Sequence, residues 1–437
     1  MKNIKEKYLA NGWDFFTDRY YEVLHAINST DYTNAERAKT FRESDETSLY
    51  QNIAIEITQE NHCQLACEWC YINQMEKKDI NKPLSFEIVK NIIDKIVHYS
   101  KEINQKLFSN IVFIGGEPTL NNDLEKMILY SLENNLKPIV VSNSLKLANM
   151  DYARKVCIEG VTITTHIPFY KNEYEYDDKL DELCKCKGYS CKLSKAIDNM
   201  LEIRNSVKNF DIIGEFVVNK ATIGYAYNSY KYCRKNNINP FFELMRISDD
   251  SINNKNLLLE QNDIIELSNK LYEYDIENNI ITNNNIIDKV RYFLPPTINN
   301  PCTIIQNSVH IKFTKDGFGD VASCCGQDVF HGNIQLDSLE EILKNKENTM
   351  IFSKQDKYIE GPCSVCELYS KVDCQGGCRG NAKNIYDCPK SSDPQCIFIK
   401  AETKSNIKVM VRKDCNSCEI TNCSNNASYN RIKLVEN

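Results

Sequence analysis

Apolar and polar residues alternate at several points along the chain, beginning at residue 53. Ile53, Ile55 and Ile57 are each separated by one residue, and this period of two predicts a strand. Short apolar segments predict five more strands, at 111–114, 139–141, 161–164, 212–218 and 241–245. Apolar residues at helical spacing predict helices between them, at 86–96, 124–132, 193–204 and 225–234. Repeated strand–helix units of this kind predict an α/β fold built on a parallel sheet.

These patterns divide the chain into three predicted regions. Six strand–helix units over residues 51–300 fit a partial (β/α)6 barrel of the TIM-like type, open on one side. Residues 1–50 carry aromatic side chains at roughly helical spacing, which predicts an N-terminal helical extension. A further helix is expected at 262–278, before prolines interrupt the pattern near residue 295. Over residues 301–437 periodicity fades and cysteines crowd, which predicts a loop-rich, cysteine-rich domain held together by metal, with a cysteine-containing tail.

Composition excludes several kinds of partner. The chain has 437 residues, of which 42% are hydrophobic and 26% are charged, as is ordinary for a globular protein. Its formal net charge is −7 and it has no long basic run, which argues against nucleic acid or an anionic membrane as a partner. The sequence shows neither an apolar stretch long enough to cross a bilayer nor an N-terminal signal core. We therefore expect a cytoplasmic protein.

The chain contains 20 cysteines, and their spacing changes the picture. In the absence of an export signal, metal ligation explains them better than disulfides do. Three lie on one short loop after the first strand, as Cys63-x3-Cys67-x2-Cys70. Three thiolates can hold three irons of a [4Fe–4S] cluster, and because such clusters normally use four cysteines, the fourth iron is left to bind a substrate or cofactor. The alternative is a zinc site that His62 completes.

A second motif, Gly115-Gly116-Glu117-Pro118, follows the second predicted strand. Glycines let the backbone approach a ligand closely, and a glutamate can accept hydrogen bonds from an ammonium group. Together with the cysteine loop and the aromatic Trp69 before its third cysteine, this motif resembles the radical S-adenosylmethionine (radical SAM) enzymes. The resemblance implies that Cys63, Cys67 and Cys70 hold the catalytic cluster and that the Gly-Gly-Glu-Pro motif binds the methionine amino group of SAM. It further implies cleavage of SAM to methionine and a 5′-deoxyadenosyl radical, which abstracts hydrogen from a substrate.

The same resemblance assigns further SAM or substrate contacts to the ends of later strands. The residues in question are Ser142 and Asn143 after the third strand, Thr165 and His166 at the end of the fourth, and Glu243 and Arg246 on the sixth. Each has a structural alternative. Ser142 and Asn143 also fit a polar loop end, His166 fits a hydrogen-bonded barrel histidine, and Glu243 and Arg246 fit an ion pair with each other.

The C-terminal third carries a second set of spaced cysteines, with Gly-Gly-Cys-Arg-Gly at 376–380 and Asp-Pro-Gln-Cys at 393–396. This set resembles the SPASM domain, an extension with two auxiliary [4Fe–4S] clusters, which brings the implied total to three. The resemblance assigns Cys363, Cys366, Cys374 and Cys396 to the outer cluster and Cys302, Cys324 and Cys378 to the inner one. The fourth inner ligand is either Cys325 or an open iron, and Cys388 competes with Cys396. A zinc ribbon accounts for only the central four cysteines of this set.

Two further cysteine groups have metal-ligand spacing but only three members each. They are Cys184-x-Cys186-x4-Cys191 and Cys415-x2-Cys418-x4-Cys423. Zinc, another cluster, completion of an existing cluster and unliganded thiols all remain open for them. Cys157 and Cys233 are expected to be core residues.

The resemblance implies an oxidoreductase that modifies a short ribosomal precursor peptide, by cross-linking, thioether formation or side-chain oxidation. It also implies an electron donor such as flavodoxin or ferredoxin. One alternative is dehydrogenation of a small molecule, or sulfatase-type oxidation of a cysteine or serine, on the same scaffold. A non-catalytic iron–sulfur or zinc scaffold is the hypothesis from a different class.

Overall fold

The computed structural model describes residues 48–59, 62–70, 83–172, 174–247, 256–280, 308–314, 317–326, 329–349, 363, 377–386 and 391–396. Most of the predicted N-terminal extension lies outside the described residues. So do seven cysteines of the predicted metal sites and tail, namely Cys302, Cys366, Cys374, Cys388, Cys415, Cys418 and Cys423.

The strands of the described residues include all six that the sequence predicts. In chain order they are β1 (Tyr50–Thr58), β2 (Phe108–Gly115), β3 (Lys137–Ser142), β4 (Thr162–His166), β5 (Phe169–Tyr170), β6 (Tyr176–Asp177), β7 (Asp211–Val218), β8 (Asn239–Leu244), β9 (Ser308–Thr314), β10 (Gly317–Ala322) and β11 (Phe330–Asn333). β5 and β6 pair only with each other, as a short antiparallel hairpin within the insertion that follows β4.

Helices alternate with the strands, and five of those described match the helices predicted at 86–96, 124–132, 193–204, 225–234 and 262–278. In chain order the described helices are α1 (Phe86–Glu102), α2 (Leu124–Glu133), α3 (Met150–Val156), α4 (Lys179–Leu183), α5 (Tyr189–Arg204), α6 (Ile223–Lys235), α7 (Gln261–Glu277), α8 (Leu339–Thr349) and α9 (Arg379–Tyr386). α1 shows why they form: Val89, Ile92, Ile93 and Ile96 are all buried and lie on one face of the helix. Burying this face against the sheet is what stabilises the helix.

One sheet of nine strands organises the molecule, in the order β11-β10-β9-β1-β2-β3-β4-β7-β8. From β1 to β8 each strand is parallel to its neighbour and the spatial order follows the chain. This confirms the predicted α/β class with a parallel sheet, of the partial-barrel type. The carboxyl ends of the parallel strands therefore meet at one edge, where His166 pairs with Glu215 and Val217 with Glu243.

Three strands that were not predicted from the sequence extend the sheet beyond β1. β9 lies parallel to β1, with Ile53 opposite Val309, and β10 and β11 follow in antiparallel order. Residues beyond 300 were expected to be rich in loops, but residues 308–314 form a strand. The sequence is consistent with this strand, because Val309, Ile311 and Phe313 alternate with polar residues. The division of the chain near residue 300 stays a prediction, although strands from both sides of it share this sheet.

A buried glutamate on β1 holds β9 in place. Glu56 is 2% exposed, and its Oε2 accepts a hydrogen bond of 2.8 Å from the backbone N–H of Phe313. Its Oε1 lies 3.0 Å from Nε2 of His310, which is also buried. Because a buried carboxylate is stable only when it is paired, this residue ties the added strands to the first strand of the barrel.

Among the described helices, none is both long enough and apolar enough to cross a membrane.

Candidate active site

A cavity of about 180 Å³ opens at the carboxyl edge of the sheet. Its lining comprises Cys63, Leu65, Cys67, Trp69 and Cys70 from the cysteine loop, Ile114, Gly115, Gly116 and Glu117 from the end of β2, Val141, Ser142 and Asn143 from the end of β3, and His166, Glu215, Val217, Glu243, Arg246 and Cys325. Strand ends of parallel sheets are where such folds place their active sites. The structure thus brings residues of all four sequence motifs predicted for SAM binding, and both residues of the sixth strand, to one cavity.

The cysteine loop presents its three thiols to this cavity. Cys67 is buried and Cys63 and Cys70 are half-buried, and the backbone N–H of Cys70 donates to the oxygen of Cys67 over 3.0 Å, which makes a tight turn. Burial raises the pKa of the Cys63 thiol to about 12, so a bound cation is needed to hold it as a thiolate. The donor set therefore suits an electropositive group that is bound through sulfur.

The cysteine loop also bears on the predicted zinc alternative. Among the described residues, no three Cys, His, Asp or Glu side chains are grouped so that they could hold one metal ion. The side chain of His62 does not line the cavity, and its backbone oxygen accepts from the N–H of Glu117 over 2.9 Å. His62 thus joins the two motifs through its backbone.

The two glycines of the second motif are required by the close packing of this motif on the cysteine loop. Gly115 has a φ of +134°, and a Cβ there would lie 2.2 Å from the backbone oxygen of Thr58. A Cβ on Gly116 would lie 2.4 Å from the backbone oxygen of Gln59. Neither position can carry a side chain without displacing the backbone that leads into the cysteine loop. Pro118 begins a short 3-10 turn, Pro118–Leu120, and is not among the residues lining the cavity.

Glu117 is buried at the centre of a hydrogen-bond network. Its Oε1 accepts from Thr119 N (2.9 Å), Thr119 Oγ1 (2.6 Å) and Ser142 Oγ (2.7 Å), and its Oε2 accepts from the backbone N–H of Asn143 (2.7 Å). Burial raises the pKa of this carboxyl, and the hydrogen bonds oppose the rise. The carboxylate joins the ends of β2 and β3, a role that the sequence did not predict. A carboxylate oxygen has two lone pairs, so Oε2 can still accept from an ammonium group.

Asn143 connects the third strand to the cysteine loop. Its Nδ2 lies 3.0 Å from Gln64 Oε1 and 3.6 Å from the sulfur of Cys63. Its backbone oxygen accepts a hydrogen bond of 3.0 Å from the hydroxyl of Tyr189. Asn143 therefore holds a fixed position between the cysteine loop and the wall of the cavity.

His166 belongs to a chain of polar contacts along the same wall. Its Nδ1 lies 3.0 Å from the hydroxyl oxygen of Tyr189. Because Tyr189 donates its proton to Asn143, Nδ1 carries the hydrogen of the imidazole and Nε2 is left as an acceptor. Burial lowers the pKa of His166 to about 4, so the ring is neutral at pH 7. Its neighbour Thr165 is fully buried and does not line the cavity.

A pair of carboxyl groups on β7 and β8 lies beside His166 along the sheet. Glu215 is hydrogen-bonded to Glu243, and burial, followed by the charge of Glu243, raises the pKa of Glu215 to about 7. Arg246 lies 3.5 Å from Glu243, so the predicted alternative of an ion pair between them is present. Arg246 also donates to the sulfur of Cys325, which brings a cysteine of the C-terminal third into the cavity. The sequence did not single out Glu215, since one glutamate in an apolar strand carries no motif.

Four other C-terminal cysteines are described. Cys324 is buried beside Cys325, and Cys363 accepts a hydrogen bond of 3.0 Å from Ser392. Cys378 donates its backbone N–H to Asp393 over 2.5 Å. The segment 391–396, which ends at Cys396, thus contacts Cys363 and Cys378, two other predicted cluster ligands. The assignment of these residues to an inner and an outer cluster stays a prediction.

The cysteine group after β4 divides between two environments. Cys184 is buried with its sulfur 3.3 Å from that of Cys67, whereas Cys191 is exposed. Cys157 and Cys233 are buried in the core, as expected.

Comparison with known proteins finds similarity to an iron–sulfur domain family and to radical SAM enzymes. The family model "4Fe-4S single cluster domain" matches residues 59–182. The chain is 25% identical over 365 residues to the radical SAM cyclopropyl synthase TigE of Paramaledivibacter caminithermalis, covering 76% of this chain and 69% of that protein. It is 21% identical over 372 residues to an Fe-coproporphyrin III synthase of Methanosarcina barkeri, covering 78% and 86%.

Solved structures show the same fold. The structure of anSMEcpe with bound AdoMet superposes with a TM-score of 0.58 at 18% identity, covering 78% of this chain and 93% of that one. Streptococcus suis SuiB bound to the precursor peptide SuiA superposes with a TM-score of 0.57 at 13% identity, covering 88% and 82%.

Proposed function

We propose that this protein, which resembles the radical SAM enzymes in sequence and in fold, cleaves S-adenosylmethionine reductively and modifies a peptide substrate. The single observation that carries the proposal is the convergence of the Cys63, Cys67 and Cys70 thiols with Glu117 and Asn143 in one cavity. These groups come from three separate chain segments. Their meeting supports a site for a sulfur-ligated cluster and for a ligand that carries an ammonium group.

The residues that line the cavity would have different roles in the proposed reaction. Cys63, Cys67 and Cys70 would hold a [4Fe–4S] cluster, and the free oxygen lone pair of Glu117 would accept from the amino group of SAM. Together the cluster and SAM would supply electron transfer and hydrogen abstraction, while the protein binds, orients and excludes water. The apolar walls of Leu65, Ile114 and Val217 suit that last task.

We further propose that the reaction is a net oxidation. After a hydrogen atom has been removed, oxidation requires that a proton also leave the substrate. Glu215 lines the cavity, and a carboxyl with a pKa near 7 can accept a proton efficiently at neutral pH. Glu243 shares its environment and would help to hold the proton. The auxiliary clusters predicted at the C-terminal cysteines would accept the electron.

Reconstitution under anaerobic conditions tests the core of this proposal. The wild-type protein, given iron, sulfide, dithionite and SAM, is expected to release 5′-deoxyadenosine. A Cys63→Ala, Cys67→Ala, Cys70→Ala variant is expected to release none, and Cys157→Ala, which removes a buried cysteine away from the cavity, is the matched control. Iron content distinguishes one cluster, about four irons, from three clusters, about twelve. An iron-loaded wild type that does not cleave SAM would falsify the enzyme proposal.

The substrate is tested by the mass of the product. Peptides encoded by genes adjacent to this one are incubated with the loaded enzyme and SAM. Loss of two hydrogens from a peptide supports oxidation, whereas gain of a methyl group would contradict it and point to methyl transfer. The resemblance to TigE and the fold shared with SuiB, whose structure contains a precursor peptide, support the choice of a peptide.

A small-molecule substrate is the second candidate. The match to an Fe-coproporphyrin III synthase extends over 78% of this chain and favours it. On this alternative the same cavity would take up a compact substrate beside SAM. Turnover of a small molecule without any change in the adjacent peptides would select it.

A further inference from the structure

One contact of the cysteine loop belongs to none of the motifs that build the cavity. Cys184 follows α4 in the insertion after β4, 117 residues beyond Cys67 in the chain. Its sulfur nevertheless lies 3.3 Å from that of Cys67. Cys184 is fully buried and Cys67 is 9% exposed, so the contact is shielded from water.

The backbone on both sides of Cys67 fixes this contact. The N–H of Ala66 donates to the oxygen of Cys184 over 3.0 Å, and the N–H of Glu68 donates to the oxygen of Leu183 over 3.1 Å. Lys185 pairs with Glu68 at the surface over 2.5 Å, which adds little energy because the pair is exposed. Two backbone hydrogen bonds that bracket one cysteine leave its sulfur little freedom to move away from Cys184.

We propose that Cys184 is a positioning residue that donates an S–H hydrogen bond to the thiolate of Cys67 when the loop holds its cluster. A ligating thiolate has no proton and can only accept, whereas an unliganded thiol is a weak donor. The sulfur of Cys63 has comparable neighbours, since the N–H of Leu65 lies 3.4 Å from it and the amide of Asn143 lies 3.6 Å from it. The sulfurs of Cys63 and Cys67 are thus both met by donors.

Such a hydrogen bond would change the reduction potential of the cluster. Reduction adds one electron and therefore negative charge, part of which lies on the cysteine sulfurs. A donor at one of these sulfurs stabilises the reduced state, so hydrogen bonds to sulfur raise the reduction potential. The proton stays on Cys184 throughout, and no bond to it forms or breaks. This inference rests on the proposed function only in requiring that Cys63, Cys67 and Cys70 hold a cluster.

The test is the reduction potential of the cluster, measured by titration with detection by electron paramagnetic resonance. The signal that changes when SAM is added identifies the cluster on this loop. Cys184→Ala and Cys184→Val remove the donor, Cys184→Ser retains one, and Cys157→Ala is the matched buried control. We expect the Ala and Val variants to shift toward more negative potential by up to about 59 mV, which corresponds to a tenfold change for one electron. Cys184→Ser and Cys157→Ala should stay close to the wild-type value.

Each other outcome is decisive. If Cys184→Ala loads iron and keeps the wild-type potential, Cys184 donates nothing and the inference is wrong. If the Ala and Val variants fail to bind iron while the Ser variant binds it, the donor is required for loading and the inference stands. If the Ser variant also fails to bind iron, Cys184 acts by packing or by ligation and the inference is overturned. A wild type that binds no iron would instead contradict the proposed function itself.

Discussion

At the scale of single residues, the most consequential group is the carboxyl of Glu215. It lies where the sequence gives no motif, and its raised pKa arises from burial in the sheet and from its neighbour Glu243. Single-residue chemistry of this kind depends on which strand ends meet, and the sequence alone does not report that. The cysteines of the loop, by contrast, could be identified in advance because their spacing is local.

Replacement of Glu215 by Gln should separate the two halves of the proposed reaction. Without a proton acceptor, product formation should fall by about 100-fold, a typical effect for removing a general base. Release of 5′-deoxyadenosine should persist. In the wild type, the rate of product formation should rise with pH through about 7, since the base is active only when ionised. The exposed Glu159→Gln is the control, and an unchanged pH profile in Glu215→Gln would count against this role.

Glu117 is expected to stabilise the folded protein as well as to bind SAM. Glu117→Gln places an amide donor where the carboxylate now accepts from Ser142, Thr119 or the backbone N–H of Asn143. Leaving one such buried donor without a partner costs about 1–3 kcal/mol. Urea unfolding should show a loss in this range, against little change for the exposed Glu125→Gln on α2. Equal stability of the two variants would refute the bridging role.

At the scale of secondary-structure elements, the sequence predicted β1 to β4, β7 and β8, with α1, α2, α5 and α6 between them. These elements are recognisable because each buries a regular apolar face, as α1 does. β9 carries the same alternation, but its partner β1 lies far away in the chain, so its place in the sheet depends on long-range pairing. The contact between Cys184 and Cys67 escaped prediction for the same reason.

Glu56 offers a test of how β9 is attached. Glu56→Ala removes the acceptor for His310 and for the N–H of Phe313, both of which are buried. Hydrogen exchange should become faster at β9 and β10, while β3 and β4 stay protected. Asn52→Ala, which removes a partly buried hydrogen bond to Ser308, is the milder comparison. Uniform exchange across the whole sheet would show that β9 is not a separate unit.

At the scale of the whole molecule, buried ionisable groups make stability depend on pH. His166 has a pKa of about 4 in the folded protein and about 6.5 when unfolded. Between these values the unfolded chain binds the additional proton, so acidification favours unfolding. The stabilising contribution is complete above pH 6.5 and is lost as the pH falls toward 4.

His166→Gln should weaken this dependence. The melting temperature of the wild type, measured from pH 8 to pH 4.5, should fall more steeply below pH 6.5 than that of the variant. His98→Gln, an exposed site on α1, is the control. Glu215 acts with the opposite sign, since its raised pKa makes the folded state bind a proton between about 4.5 and 7. If the two curves are parallel, His166 is not held neutral by burial.

The pairing of β9 with β1 also affects how the chain is made. Ile55 and Ile311 face each other in the sheet but are 311 − 55 = 256 residues apart. At a synthesis rate of about 5–20 residues per second, roughly 13–50 s pass between their emergence from the ribosome. During that interval the outer edge of β1 has its hydrogen-bonding groups exposed, which makes it a site for aggregation or chaperone binding. The outer edge of β1 therefore stays uncovered until β9, in the last third of the chain, has been synthesised.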